Sequence, residues 1–338
     1  MKFLLAILLV CAHTSAEKVT FPIYIDIWFS LYIIAVPFFF TTSAYFFFRK
    51  IKGATRTQSF TAYKQYSKRI LLMYVAWSVI YTLFIIADKW QDGVLSWHWL
   101  LSHLYNTIVF SSYPTIWFLP ALWIGVSVTY LCLYRWLFPL KTVIIIALVL
   151  YIVGWIGYTL PDEKLPFISV NEWYISHFKT WRNGLFNGFI YAVLGAIISA
   201  NSIDIERGRP HKISIKVFIL LVFVVLEALI TKRFINSRAD ANYLFMLIPF
   251  TYYFVSWLLT IQMKPRAIYL SMRNLSLLIF LSQRIFLTAI PALVPVGVIT
   301  CISRNPYVGL FIFLSATLLF SIGIILVSKK IKIFKMLW

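Results

Sequence analysis

Charged side chains are scarce in this sequence, at 12% of its 338 residues. A soluble domain carries about a quarter, whereas here 61% of the residues are hydrophobic and 19% are aromatic. Apolar stretches long enough to cross a bilayer recur from one end of the chain to the other. The composition therefore excludes an ordinary soluble enzyme and predicts a polytopic membrane protein.

Cysteine is also scarce. The three cysteines, Cys11, Cys132 and Cys301, lie in or beside apolar segments. They are too few and too scattered for a disulfide framework or a zinc site, so we interpret them as packing residues and expect no bound metal. The alternating ten-residue pattern of a membrane β-barrel is missing as well. We predict an all-α fold in a single domain over residues 1–338.

Ten apolar segments are predicted to be membrane helices, because most of them have the length needed to cross about 30 Å of hydrocarbon. They are 3–16, 27–48, 70–87, 115–134, 142–160, 184–200, 213–231, 241–262, 275–293 and 307–328. No internal repeat or soluble domain interrupts them. Because the connections are short, an active site has to be built from the spans and their ends.

The Lys and Arg residues behind the net charge of +20 are unequally distributed between the two sides of the predicted membrane. With the N-terminus placed inside, the connections on that side hold more than twice as many Lys and Arg residues as those on the other side. Positive residues collect in cytoplasmic loops, so this bias predicts both termini in the cytoplasm. It also explains the basic composition without a nucleic-acid partner, and the bilayer is the expected partner instead.

The first segment, MKFLLAILLVCAHTSAEKV, has two interpretations. Lys2, the apolar run after it and the small residues before Glu17 are typical of a signal peptide cleaved after Ala16. Alternatively, the segment is the first membrane helix. Lys2 and His13 are eleven residues apart, which places them on one helix face about 16 Å apart along the axis. Imidazole is the usual general base near neutral pH.

Other ionisable residues lie in or beside the apolar segments, where they are costly and usually functional. Arg69 begins the third segment, and Arg182 lies just before the sixth. Glu227 and Arg284 lie within predicted spans. An interfacial anchor is the alternative for Arg69, and a structural partner of a neighbouring cation is the alternative for Glu227.

Five blocks of the sequence resemble the acyltransferase 3 family, bacterial integral-membrane enzymes that O-acylate exported and surface polysaccharides. KFLLAILLVCAH is similar to the family's basic residue followed, after ten residues, by His. VPFFFTTSAYFFF is similar to its Phe-rich second helix, with Ser43 and Tyr45 matching and Ala44 replacing a Gly. The other blocks are YSKRILLMYVAWS, which contains Arg69, then TIWFLPALW and WRNGLFNGFIYAVLGAII. Many members carry a His where FLSQRIF has Gln283.

The resemblance implies retention of the first segment as a helix, in a multi-pass protein of the bacterial cytoplasmic (inner) membrane. It implies acyl transfer, most often of acetyl, from cytoplasmic acyl-CoA to a sugar hydroxyl of a polysaccharide or its lipid-linked precursor. The acyl-CoA is then a substrate, and no permanently bound cofactor is expected. His13 is the expected base or acyl carrier. Succinyl transfer remains an alternative.

The resemblance also implies roles for residues around the expected base. Lys2 and Arg69 are the expected ligands of the CoA phosphates, and Ser43 and Tyr45 are expected to line the channel of the thioester arm. Packing in the core is the alternative for Tyr45. Arg182 and Glu227 are assigned to the acceptor or the oxyanion. For the basic residues in this set, the distribution of positive charge across the membrane is an alternative explanation.

Two further alternatives remain at this stage. A transporter or flippase of lipid-linked saccharides also uses buried charges, although inverted repeats and broken helices are missing. The outer connections are rich in aromatic residues, which stack on sugars or form an interfacial belt. These residues are Trp90, Trp97, Trp99, Tyr105, Tyr113, Trp173, Tyr174 and Trp181.

Overall fold

The computed structural model describes residues 1–15, 32–161, 164–165, 167–206, 208–236, 243–261, 264, 266–293 and 306–338. The predicted packing role of Cys301 and the possible cleavage site at Ala16 fall outside these ranges. Cys11 is half-buried and Cys132 is buried, both as free thiols. Within the described residues the chain is helical and has no strand, as predicted.

The helices follow one another along the chain with short connections. They are α1 (Lys2–Ser15), α2 (Ala35–Ile51), α3 (Arg56–Gln91), α4 (Trp97–Val109), α5 (Phe118–Tyr130), α6 (Leu140–Thr159), α7 (Ile168–Phe178), α8 (Phe189–Ala200), α9 (Ser202–Glu206), α10 (Pro210–Ile230), α11 (Leu247–Thr260), α12 (Ala267–Leu293) and α13 (Pro306–Lys330). Single π turns extend α5 over Leu131–Arg135 and α10 over Thr231–Ile235, and another, Gly184–Gly188, leads into α8. A 3₁₀ helix, Lys332–Leu337, follows α13.

Each of the ten predicted apolar segments overlaps one of these helices within the described residues. Among the described residues, five helices are long and apolar enough to cross a membrane. They are Arg56–Gln91, Phe118–Arg135, Leu140–Thr159, Pro210–Ile235 and Val308–Lys330. Three shorter helices are also apolar: Lys2–His13, Gly184–Ala200 and Leu247–Thr260. The chain is thus a multi-pass membrane protein, and the count of ten crossings and the orientation stay predictions.

Helix α3 begins much earlier than the predicted segment 70–87. Thr55 caps it through a capping box with Gln58, so the helix starts at Arg56 inside the connection expected over residues 49–69. Its first turns are polar on the outside, which hides them from a search for apolar runs. Tyr63 on this part stacks on Tyr130 of α5 with ring centroids 4.6 Å apart. Packing on α5 therefore holds a polar helix that hydropathy alone does not reveal.

Helices α2 and α8 form the centre of the bundle. They approach so closely that a Cβ on Gly195 would lie 2.6 Å from the Ala44 Cβ and 2.6 Å from the Thr41 carbonyl oxygen. Only glycine fits such a crossing, because a backbone carbonyl cannot yield as a flexible side chain does. The missing side chain at Gly195 thus makes room for Ala44, the residue that replaces the glycine of the related block.

Helix α1 lies inside the bundle, against α12 and α13 and beside α2. Leu5, Ala6, Leu9 and Val10 are buried in the same core as the phenylalanines of α2. Burial of apolar side chains stabilises such an arrangement by about 25 cal/mol per Å² where water is displaced, and by dispersion within lipid. The helix that carries Lys2 and His13 is therefore part of the core.

Candidate functional site

The imidazole of His13 forms a hydrogen bond with a side chain of the neighbouring helix α12. Its Nδ1 lies 3.1 Å from Oε1 of Gln283, a residue 270 positions away in the chain. The Gln283 amide in turn donates from Nε2 to the carbonyl oxygen of Phe280 at 3.0 Å. Gln283 is buried, with 2% of its surface exposed, and His13 is half-buried. The expected base thus sits at a polar point inside an otherwise apolar helix contact.

Three cationic side chains lie near the starts of helices α1 and α12. Lys2 at the start of α1 lies within electrostatic range of Arg69 on α3 and of Arg273 near the start of α12. The Lys2 ammonium also lies over the ring of Phe46 on α2, 5.6 Å from its centroid. We call Lys2, Arg69 and Arg273 the basic cluster. Two of its members, Lys2 and Arg69, were predicted as ligands of the acyl-CoA phosphates, and they lie within electrostatic range of each other.

Helices α1 and α12 run in the same direction, because Lys2 lies near Arg273 and His13 bonds to Gln283. Eleven residues separate the two positions on α1, about 16 Å along its axis, and ten residues separate those on α12, about 15 Å. Helices α1 and α12 therefore carry two matching positions. Cations lie near their starts, and the contact between His13 and Gln283 lies further along both axes. Sequence reasoning missed Arg273, although its distance from Gln283 parallels the distance from Lys2 to His13.

Ser43 and Tyr45 lie on α2, the helix next to α1. Tyr45 is buried, and its hydroxyl accepts a hydrogen bond from the guanidinium of Arg49, which also lies over the ring at 5.7 Å. Ser43 is half-buried, two residues before Tyr45 on the same helix. Tyr45 is thus held by Arg49 and by the core. A role of either residue at a thioester stays a prediction.

Arg182 precedes the π turn that leads into α8. Its guanidinium lies over the ring of Trp117 at 4.7 Å and near that of Tyr158 at 5.9 Å. Its backbone N–H donates to the Thr180 hydroxyl at 3.0 Å. The Asn183 side-chain oxygen caps the turn by accepting hydrogen bonds from the N–H groups of Leu185 and Phe186. The local sequence therefore fixes the backbone, and aromatic faces position the cation.

An aromatic wall connects the surroundings of Arg182 with those of His13. Trp117 contacts Phe40 with centroids 6.1 Å apart, and Phe40 contacts Phe118 at 4.7 Å. Phe118 then meets Phe280 edge-on at 5.3 Å. The carbonyl of Phe280 is the group that holds Gln283. Arg182 and His13, which are far apart in the sequence, are therefore linked through one chain of buried ring contacts.

Glu227 has a backbone partner in place of the cation expected for a structural role. Its Oε1 accepts from the N–H of Phe245 and its Oε2 from the N–H of Met246, both at 2.7 Å. These N–H groups belong to the start of α11, where a carboxylate is favoured by the unpaired donors and the helix dipole. Both oxygens are engaged in joining α10 to α11. Its assignment to the acceptor stays a prediction without a contact to support it.

The aromatic residues of the outer connections divide into two groups. Tyr174 and Trp181 stack with centroids 3.8 Å apart, and the Trp181 indole donates to Asn171 at 2.7 Å. Burial raises the pKa of Tyr174 to about 12, so its phenol stays neutral. Trp97 and Trp90, by contrast, are 81% and 74% exposed. The first group packs the unpredicted helix α7 onto the bundle, whereas the second faces outward as an interfacial belt or a sugar platform would.

The described residues contain no group of three or more His, Cys, Asp or Glu side chains that would hold a metal ion. The groups that the site offers are instead an imidazole, an amide and guanidinium and ammonium cations. Such groups accept a proton, orient a base and bind anions. This set is suited to acid–base transfer of a group from an anionic donor.

Comparison with known proteins gives two matches. A family model described as an acyltransferase domain matches residues 1–327. An amino-acid racemase of Enterococcus faecalis is 26% identical over 283 residues. That match covers 82% of this chain but 37% of the racemase, so the chain spans little more than a third of that relative's length. No solved structure matches the chain.

Proposed function

From the premise that this chain belongs to the acyltransferase 3 family and is a membrane acyltransferase, we propose a specific reaction for it. It transfers an acyl group, in the simplest case acetyl, from cytoplasmic acyl-CoA to a sugar hydroxyl. The acceptor is an exported or cell-surface polysaccharide or its lipid-linked precursor. The site of action is the cytoplasmic membrane of a bacterium.

The observation that carries this proposal is the pair of matching positions on α1 and α12: the basic cluster near the helix starts and the His13–Gln283 contact further along. Acyl-CoA is an anion with its phosphates at one end and its thioester at the end of a long flexible arm. Phosphates at the basic cluster are favoured because paired cations form charge-assisted hydrogen bonds with them. An arm laid along α1 then brings the thioester toward His13, about 16 Å from Lys2.

The reaction at His13 balances as a direct transfer. The imidazole accepts the proton of the sugar hydroxyl while the hydroxyl oxygen attacks the thioester carbonyl carbon. A C–O bond forms, the C–S bond breaks, and the thiolate of CoA takes the proton back from the imidazolium. The products are the sugar ester and CoA thiol. General-base assistance of this kind contributes about 10²–10⁴-fold to a rate.

Arg182 and the aromatic wall support a place for the acceptor. A guanidinium offers several donors to sugar oxygens, and the rings beside it offer faces to a sugar ring. Arg182 packs on Trp117, the first ring of the contacts that lead to Phe280, which supports a position for the acceptor on the same side of the core as the base. We assign Arg182 to orienting the acceptor.

Membrane vesicles test the proposal. Inverted vesicles from producing and non-producing cells receive acetyl-CoA, or in a second arm succinyl-CoA, labelled in the acyl group. We expect label in the saccharide fraction only with the protein present, and removable by mild base as an ester is. Transport of a saccharide across the vesicle membrane without any label would contradict the enzyme proposal and favour a flippase.

A further inference from the structure

The two hydrogen bonds of Gln283 fix the tautomer of His13. The carbonyl oxygen of Phe280 only accepts, so the group of Gln283 that faces it at 3.0 Å has to be the amide NH₂. The amide oxygen therefore faces His13, and that oxygen also only accepts. The contact at 3.1 Å then requires a proton on Nδ1 of His13, which donates to Gln283. With Nδ1 protonated, the basic lone pair of the ring is on Nε2.

We propose that Gln283 is a positioning residue for His13, and this inference rests on the proposed function. It holds the ring in the tautomer that keeps Nε2 basic and keeps the plane of the ring fixed. A base oriented by a third group is the general logic of activated catalytic sites. Here the third group is a neutral amide on α12. It orients the imidazole and accepts from the imidazolium without adding a negative charge.

Burial makes this contact persistent. Gln283 is 2% exposed, and a buried polar group that loses its partner is penalised because water cannot replace the lost hydrogen bond. Its neighbours Leu281 and Ile285 are buried apolar residues. The amide of Gln283 therefore keeps its hydrogen bonds to Phe280 and His13. The packing of α1 on α12 holds these three residues in place.

The test uses three variants in the vesicle assay, with kcat, the KM for acetyl-CoA and the pH profile measured for each. Gln283→Met keeps the length but removes the acceptor, and we expect kcat to fall by about tenfold to a hundredfold with an unchanged donor KM. Gln283→Glu keeps an acceptor for the Nδ1 proton of His13, gives up the hydrogen bond to the Phe280 carbonyl and adds a charge, so we expect activity above that of Gln283→Met. Gln65→Met, on an exposed part of α3, is the matched control and keeps wild-type values.

The pH profile separates positioning from a merely structural role. The carboxylate in Gln283→Glu favours the protonated imidazole, so the loss of activity on acidification begins at a higher pH than in the wild type. Wild-type kcat in Gln283→Met, or a Gln283→Glu profile identical to the wild type, would overturn the inference. If Gln283→Met does not accumulate in the membrane, the pH profile of Gln283→Glu alone tests whether Gln283 positions His13. Wild-type vesicles that transfer no label would instead refute the proposed function itself.

Discussion

At the scale of single residues, the site depends on which side chains the helices bring together. Lys2 and His13 share a face by their spacing, and this follows from helix geometry alone. The partners Arg273 and Gln283 do not follow from it, because they lie about 270 positions away and meet α1 only through helix packing. The sequence shows Gln283 as a departure from a related motif, whereas the structure shows it as the partner of the expected base.

Arg273 is predicted to act in donor binding. Replacing it with Gln removes one cation of the basic cluster, so we expect the KM for acetyl-CoA to rise about tenfold, the value of one charge-assisted hydrogen bond. The value of kcat stays within about twofold, because Gln283 and His13 lie about 15 Å further along the helices. The difference between variant and wild type shrinks as salt screens the phosphates.

The exposed Arg266, just before α12, supplies the control for this prediction. Arg266→Gln removes the same charge from a position just before α12 and outside the basic cluster, so it leaves the KM near the wild-type value. Equal KM values in both variants would mean that general surface charge, and not the cluster, attracts the donor.

At the scale of helices, hydropathy predicts more than it does at the scale of residues. Each of the ten predicted segments overlaps a described helix, since apolar runs of that length have few alternatives in a bilayer. The first turns of α3 and the helices α4 and α7 were missed because they are polar or amphipathic. Their stability comes from caps such as Thr55 and from contacts such as Tyr63 with Tyr130. Neither signal is visible as an apolar run.

The crossing of α2 and α8 gives the second prediction. A methyl group at Gly195 would meet the Ala44 side chain and the backbone of Thr41 and Tyr45 within 2.7 Å. Overpacking of this kind typically costs about 1–3 kcal/mol, so Gly195→Ala lowers the melting temperature in detergent. The double variant with Ala44→Gly recovers only part of the loss, because the backbone contacts remain.

Gly323 in α13 is the matched control for that substitution. An added Cβ meets nothing within 4 Å there. Alanine is the better helix former by about 0.8–1 kcal/mol, so Gly323→Ala melts at or above the wild-type temperature. Equal melting temperatures for the two single variants would contradict the close α2–α8 crossing.

At the scale of the whole molecule, the basic cluster lies toward the start of α3, through Arg69, and helix α4 follows the end of α3. Residue 64 lies near the start of α3, and Trp97 follows its end. The distribution of Lys and Arg predicts that the first end faces the cytoplasm. This orientation decides which compartment supplies the donor, because CoA esters are cytoplasmic in the proposed reaction.

Cysteine labelling measures that orientation. In a background with the three native cysteines replaced by alanine, Lys64→Cys and Trp97→Cys place a thiol on exposed positions at the two ends. We expect an impermeant maleimide added to spheroplasts to label the Trp97→Cys variant, and the Lys64→Cys variant only after lysis. The reverse pattern would place the basic cluster outside and contradict a cytoplasmic donor.

The most direct test of the account is acyl transfer by a His13→Ala variant in membrane vesicles. The comparison is with the wild type and with His211→Ala, which removes an exposed imidazole from the start of α10. At equal amounts of folded protein, we predict that His13→Ala reduces the transfer of label from acetyl-CoA to the saccharide by at least about 10²-fold, while His211→Ala retains it. Full transfer by the His13→Ala variant would contradict the assignment of the base, and with it the mechanism built on α1 and α12.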